Sequence, residues 1–195
     1  MCLIVVGWRA HADYPLVVAA NRDEFHARPS ADAAAWPEAP AVFGGRDLEA
    51  GGTWLGIRRD GRFAAVTNVR EPGVSKGQHS RGLLTRDFLL GELPAIDYAQ
   101  NLDGSLYSGF NLLLGDGDSL VYCSNRDGAP RLLAPGVYGL SNHRLDSPWP
   151  KLLAARRQAG RARQRRSPDG PLFALLADDA IVADEQLPRT GVTLE

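Results

Sequence analysis

The chain has 195 residues, of which 44% are hydrophobic and 23% charged, and its formal net charge is −1. This is the composition of an ordinary globular protein, and we expect one domain over residues 1–195. Neither sign of charge dominates, and no apolar run reaches the roughly 18 residues of a membrane span, so we expect no nucleic acid partner and no membrane span. Cys2 and Cys123 lack metal or scaffold spacing and the start lacks a signal-peptide pattern, which predicts a cytoplasmic protein.

The first predicted elements are two short apolar strands. Leu3 to Trp8 is a continuous apolar run, and a second run over residues 16–20 follows a short polar link, which predicts a buried hairpin. Residues 25–40 are rich in Ala and Pro without a period and are predicted as loop. The glycine-bearing stretch 44–52 is predicted to be irregular as well.

The later elements follow from turn and capping signals. Asp60-Gly61 predicts a hairpin turn, Ser80 an N-cap, and Ser147-Pro148 a helix start with the proline in the first turn. In chain order we expect strands at 53–57 and 63–67, helices at 80–90 and 95–102, a hairpin of strands 110–114 and 119–123, strands near 131–133 and 136–140, a helix from Ser147, and a last helix at 171–177.

Strands, then helices, then strands and helices again favour an α+β fold with a mainly antiparallel sheet over an alternating parallel fold. Two hairpin groups separated by helices suit two sheets packed face to face with helices outside.

Cys2 carries the first chemical hypothesis. If Met1 is removed, one residue holds both a thiol and a free α-amine. A cysteine thiol has a pKa of about 8.5 and an α-amine one of about 7.7–8.0, so the amine can serve as base for the thiol. An N-terminal nucleophile of this kind supplies its own base. The alternative is that Cys2 is a small buried residue opening a core strand.

Polar residues follow several apolar strands directly: Asn21, Asp23, Asn68 and Asn142. Asn and Asp at such positions are commonly turn formers that bond their own backbone. Together with an N-terminal thiol they allow another interpretation, in which a carboxylate orients the amine and amide groups stabilise an oxyanion, as acyl transfer requires.

The strings around these residues resemble the NRDE family, the proteins related to the eukaryotic transport and Golgi organisation factor. The resemblance rests on Met1-Cys2, Asn21-Arg22-Asp23-Glu24, Arg28-Pro29, Gly51-Gly52-Thr53-Trp54-Leu55-Gly56, Ala65-Val66-Thr67-Asn68, Gly109-Phe110-Asn111-Leu112, Tyr138-Gly139-Leu140-Ser141-Asn142 and Pro148-Trp149-Pro150-Lys151. These strings occur in order over residues 2 to about 151.

That family is similar to N-terminal nucleophile hydrolases of the cholylglycine hydrolase branch, which implies a four-layer αββα fold. Family members continue into further strands, including a Tyr-Gly-Thr-Arg string, so this chain is expected to lack the C-terminal strands of the fold. The resemblance implies Cys2 as nucleophile and base, Asp23 beside the amine, and Asn68 and Asn142 on the oxyanion side. We expect the substrate-binding residues to be Asn21, Arg22, Glu24, Trp54 and His143.

Two functions remain open at this point. The first is Cys2-dependent hydrolysis of a C–N amide bond in a small molecule, with no metal or other cofactor. The second is a non-catalytic protein that binds or carries haem or a lipid ligand, with Cys2, His26 or His143 as a possible axial ligand. An inactive fragment is the third reading. For the arginine-rich helix after Lys151, a solvated face is favoured over anion binding.

Overall fold

The computed structural model describes residues 2–71, 73 and 77–180. The strands in chain order are β1 (Leu3–Trp8), β2 (Leu16–Asn21), β3 (Ser30–Trp36), β4 (Ala39–Asp47), β5 (Leu55–Arg58), β6 (Arg62–Asn68), β7 (Phe110–Asp116), β8 (Leu120–Ser124), β9 (Arg131–Leu132) and β10 (Gly136–Leu140). The helices are α1 (Gly82–Leu90), α2 (Ala95–Gln100), α3 (Pro150–Ala162) and α4 (Asp169–Leu176).

The described residues form two compact units. The first unit comprises 2–23, 70–71 and 134–180, and the second comprises 24–69, 73 and 77–133. This grouping does not test cooperative folding, so the expectation of one domain stays a prediction.

The first unit is a three-stranded antiparallel sheet in the order β10-β1-β2, carrying α3 and α4. The central strand β1 is almost wholly apolar, so both its faces are buried. Leu3 and Val5 of β1 pack with Leu152 of α3 and Leu175 of α4. Burying one such side chain stabilises a fold by about 1.5–3 kcal/mol. The central place of β1 therefore follows from its sequence.

The second unit is a seven-stranded antiparallel sheet in the order β3-β4-β5-β6-β7-β8-β9. Its core joins the strands β6, β7 and β8 to the helices α1 and α2 through large buried side chains such as Phe88, Phe110 and Leu112. Mixed helices and antiparallel sheets in both units confirm the predicted α+β class.

A close backbone contact in the second unit explains one of the glycine strings. A Cβ on Gly52 would lie 2.4 Å from the carbonyl carbon of Gly82, at the start of α1. The N–H of Thr53 donates to the Gly82 carbonyl oxygen at 3.1 Å. Only a residue without a side chain permits this approach, so the string Gly51-Gly52-Thr53 positions α1 against the sheet.

The prediction of loop over residues 25–40 was wrong, because β3 and the start of β4 lie there. Six of the seven residues of β3 are exposed, and most of them are alanine. An exposed strand of small residues carries no alternation of apolar and polar side chains, which is the signal that sequence reading depends on. The glycines Gly44 and Gly45 lie inside β4, so the prediction of irregular structure there was also wrong.

The hairpins predicted before the first two helices and those predicted after them do not form separate sheets. The hairpins β5-β6 and β7-β8 lie side by side in the seven-stranded sheet, since β6 pairs with β7 from Arg62–Asp116 to Asn68–Phe110. The partners of β1 are β2 and the distant β10 instead.

Two helix starts differ from the predicted positions. The N-cap of α1 is Arg81 rather than Ser80, and α3 begins at Pro150 with Trp149 as its N-cap. The Ser147 hydroxyl donates to the Arg144 carbonyl oxygen instead of capping a helix. Proline does open α3, but it is Pro150 and not Pro148.

Within the described ranges no helix has both the length and the apolar character that crossing a bilayer demands. The expected absence of C-terminal strands concerns the chain beyond residue 180, which lies outside the described residues.

Candidate active site

Cys2 directly precedes β1, the central strand. Its thiol therefore lies at one end of the three-stranded sheet, where the ends of all three strands meet. Both neighbours of β1 run antiparallel to it, with Leu3 opposite Asn21 on β2 and Ile4 opposite Leu140 on β10. The residues that follow β2 and β10 therefore arrive on either side of Cys2. Asp23 comes from one side and Ser141-Asn142 from the other.

Cys2 contacts the backbone on both sides. The N–H of Asp23 donates to its sulfur at 3.5 Å, and the thiol lies 3.8 Å from the carbonyl oxygen of Asp23. From the β10 side, the Ser141 hydroxyl donates to the carbonyl oxygen of Cys2 at 2.6 Å. Cys2 is 8% exposed.

Asn142 lies buried at the end of β10, with 2% of its surface exposed. Its position depends on the loop that follows. Asp146 has a positive φ of 60° and exchanges two hydrogen bonds with Gly139: its carboxylate accepts from the Gly139 N–H at 2.7 Å, and its own N–H donates to the Gly139 carbonyl at 2.8 Å. This ties residues 139–146 into a fixed loop, which holds Asn142 beside the strand end.

Arg70 is a charged residue of this region that sequence reasoning missed. Its N–H donates to the Asn142 carbonyl oxygen at 3.0 Å, and its guanidinium lies 3.9 Å from the Asp23 carboxylate. It therefore connects the residues on both sides of Cys2. The signal available in the sequence was its place two residues after Asn68, and no spacing rule links that place to Cys2. Ser141 and Asp146 were missed as well, although Ser141 belongs to a quoted string.

The remaining predicted residues of the first unit are Asn21, Arg22 and His143. The Asn21 amide donates to the carbonyl oxygen of Leu176, the last residue of α4, so it holds that helix end to β2. Arg22 follows the residue that pairs with Leu3 and is half-buried.

His143 is held by its neighbours. Its Nδ1 lies 2.8 Å from the Ser147 hydroxyl oxygen, and its ring lies 5.7 Å from that of Trp149. Because the one hydroxyl proton of Ser147 is donated to Arg144, we assign the proton of the 2.8 Å bond to Nδ1 of His143.

Glu24, Trp54 and Asn68 belong to the second unit. Glu24 lies 3.8 Å from the Arg28 guanidinium. Trp54 packs against the core of that unit, and Asn68 ends β6 opposite Phe110. The roles expected for these three residues in substrate or oxyanion binding stay predictions.

The second cysteine differs from Cys2 in environment. Cys123 lies in β8 within the core of the second unit, and burial raises the pKa of its thiol to about 11. It is therefore protonated and unreactive at neutral pH. In the part of the chain that the structure describes, no group of three or more His, Cys, Asp or Glu side chains is arranged to hold a metal ion.

Comparison with known proteins agrees with the family resemblance. The family model described as Transport and Golgi organisation 2 matches residues 1–195. A Transport and Golgi organization protein 2 homolog from Bos taurus is 38% identical over 196 residues, covering 92% of this chain and 70% of the relative. The Homo sapiens homolog is 39% identical over 192 residues with the same coverage.

Among solved structures, the Caenorhabditis elegans N-acylethanolamine-hydrolyzing acid amidase ortholog is similar with a TM-score of 0.65, over 97% of this chain and 95% of that chain. Sequence identity is 12%, so this similarity shows the fold alone, that of an N-terminal nucleophile hydrolase. The family that the Asn-Arg-Asp-Glu string predicted is confirmed by the family match and by both homologs. The chain is a member of the Transport and Golgi organisation 2 family, with a fold like that of N-terminal nucleophile hydrolases.

Proposed function

We propose that the protein is an N-terminal cysteine amidohydrolase that cleaves a C–N amide bond of a small molecule in the cytoplasm. The observation that carries the proposal is the placement of Cys2, whose sulfur receives the Asp23 N–H at 3.5 Å while Asn142 lies at the end of the neighbouring strand. Nucleophile, carboxylate and amide thus come from three adjacent strand ends.

The proposed reaction begins after removal of Met1, which frees the α-amine of Cys2. The neutral amine takes the thiol proton, and the thiolate attacks the amide carbon. The C–N bond then breaks, and the departing nitrogen takes the proton from the ammonium group. Water hydrolyses the resulting thioester, with the same amine as base, and the carboxylic acid is released.

Three neighbours have supporting roles in this proposal. The Asp23 carboxylate orients the ammonium group of Cys2. The Asn142 amide donates to the oxyanion. Arg70 holds the Asp23 carboxylate on one side and the Asn142 backbone on the other, which makes it a positioning residue.

The test is release of the amine from a panel of N-acyl aminocoumarins that differ in acyl length. Processed wild-type protein should hydrolyse at least one of them, and Cys2→Ala should lower the rate by about 1,000-fold or more. Cys123→Ala is the matched control, because it removes the other thiol and should keep the rate. Equal turnover by Cys2→Ala would exclude the mechanism.

The alternative, binding of haem or a lipid ligand, gains no specific support from the first unit. The hollow between the sheet and the helices of this unit has a volume of about 20 Å³, which holds one water molecule. A hollow of this size does not hold a haem. An unchanged visible spectrum on haem titration is the expected result.

A further inference from the structure

The sequence around α3 has a local charge that the net charge of the chain conceals. Between residues 151 and 168 there are seven cationic side chains and no acidic ones. They are Lys151, Arg156, Arg157, Arg161, Arg163, Arg165 and Arg166. The balance to −1 comes from acidic residues elsewhere, so composition alone gives no indication of this segment.

The packing of α3 fixes where these cations point. The helix buries Leu152, Ala155, Ala159 and Ala162, so most of the cationic residues lie on its exposed side and in the turn that follows. Arg156 is used inside the unit, because it pairs with Asp146 at 3.2 Å.

The other five arginines are exposed, and within the described part of the chain none forms an ion pair with a carboxylate. They are Arg157, Arg161, Arg163, Arg165 and Arg166. Because no carboxylate among the described residues pairs with them, these arginines give the surface a local positive potential.

The turn between β1 and β2 joins this surface. Nε2 of His11 lies 2.8 Å from the Arg165 carbonyl oxygen, which fixes the turn against the end of α3. Arg9, in the same turn, is exposed. Tyr14 is 46% exposed with its ring 4.9 Å from that of His11. Phe173, in the helix that follows, is 72% exposed. We call this surface the basic end; it comprises Arg9, His11, Tyr14, Arg161, Arg163, Arg165, Arg166 and Phe173.

The basic end is separate from the candidate active site. Cys2 precedes β1 and Arg9 follows it, so the two lie at opposite ends of one strand. Seven residues at about 3.4 Å each separate them by roughly 24 Å. Within residues 9–15 and 161–173 the acidic residues are Asp13 in the β1–β2 turn and Asp169 at the start of α4, so arginines outnumber acids in these segments.

We infer that the basic end docks the protein on an anionic lipid surface. The hollow beside Arg163 and His11 has room for one water molecule, about 20 Å³, so these arginines do not line a cleft that would seat a nucleotide or a free phosphate. Four arginines lie within residues 161–166, at the end of α3 and in the turn after it, and local clusters of four or more Lys or Arg are typical of binding to anionic lipids. Exposed Tyr and Phe side chains at the same surface insert at the level of the lipid headgroups.

The test is sedimentation of the protein with vesicles of phosphatidylcholine alone and with vesicles that also contain phosphatidylglycerol, an anionic lipid. Wild-type protein should bind the anionic vesicles and be released at high salt. The fourfold variant Arg161→Gln/Arg163→Gln/Arg165→Gln/Arg166→Gln should bind about 100-fold more weakly or worse.

The matched control makes the same change of charge in the second unit, with Arg59→Gln/Arg86→Gln/Arg126→Gln/Arg131→Gln, and should bind like wild type. Tyr14→Ser/Phe173→Ser should weaken binding about threefold to tenfold without changing its salt dependence. Circular dichroism checks that each variant is folded. No binding to anionic vesicles, equal loss in the control variant, or binding of a single-stranded oligonucleotide in place of vesicles would each overturn the inference.

Discussion

The two units use their family strings for different purposes. In the first unit the strings end at strand termini, and Asp23 and Ser141 contact Cys2. In the second unit residues of these strings serve packing. Gly52 lies against the backbone of Gly82, and Asn111 forms hydrogen bonds with other buried side chains. In the proposed mechanism the strings of the first unit supply the reactive groups, whereas Gly52 and Asn111 of the second unit serve the packing of its core.

Asn111 illustrates the architectural case. It is fully buried. Its amide nitrogen donates to the Thr67 hydroxyl at 3.2 Å, and its amide oxygen accepts from the Tyr122 hydroxyl at 2.9 Å. A buried polar group with its partners satisfied stabilises the sheet, and it has no group left for a substrate. Asn142 has the same residue type and similar burial, yet it follows the strand that pairs with β1 next to Cys2.

The largest effect on the rate of the proposed reaction is expected at Asn142. Asn142→Ala should lower the rate of acyl transfer by about 10²–10³-fold, the cost of one lost oxyanion donor. The measurement is single-turnover acylation of Cys2 with the best substrate of the panel. A rate within threefold of wild type would remove Asn142 from the proposed site.

Gly52→Ala should be the most damaging substitution for stability. The new Cβ would meet backbone atoms of Gly82 that cannot move aside, so the free energy of unfolding should fall by about 3 kcal/mol. Urea denaturation measures the loss. The control is Gly160→Ala in α3, where a Cβ meets nothing within 4 Å and should raise stability by about 0.5–1 kcal/mol. Equal effects at the two glycines would contradict the packing account.

Asn111→Ala should lower stability without lowering the rate at which Cys2 is acylated. It leaves the Tyr122 and Thr67 hydroxyls without this amide, so the free energy of unfolding should fall by about 2 kcal/mol. The folded fraction should still acylate Cys2 at the wild-type rate. A selective loss of acylation with full stability would place Asn111 in the site instead.

A smaller effect is expected in the second unit, where stability should depend on pH through Cys123. Burial raises the pKa of the Cys123 thiol to about 11, above the value of about 8.5 for an exposed thiol. The folded state therefore holds this proton more tightly, so the stabilisation is complete below about pH 8.5 and is lost as pH rises toward 11. Cys123→Ala should flatten the fall in melting temperature between pH 9 and 11, roughly the window those pKa values set. An unchanged slope would contradict the burial argument.

Part of the first unit's structure could be predicted from the sequence. The apolar run 3–8 and the run after it predicted the hairpin that brings Asp23 to Cys2, because antiparallel pairing over a short link leaves little choice of register. The α+β class followed from element order for similar reasons. The family strings added Asn142 to the same hypothesis.

Other parts depended on contacts between distant residues. β10 pairs with β1 although the paired residues lie 128 to 136 positions apart in the chain, and no local pattern specifies that partner. Arg70 belongs to the first unit, although the chain before and after its short segment belongs to the second unit. Its contacts with Asp23 and Asn142 depend on that placement. The strand β3 was missed because exposed alanines give no periodic signal.

The central claim is that the chemistry resides in the Cys2 thiol of the first unit. Intact-protein and peptide mass spectrometry after brief incubation with an activated N-acyl substrate tests this most directly, since it reads the mature N-terminus and the acylated residue together. We predict loss of Met1 and one acyl group on Cys2, with none on Cys123. Retained Met1 in fully active protein, or acylation of Cys123 at an equal rate, would contradict the account.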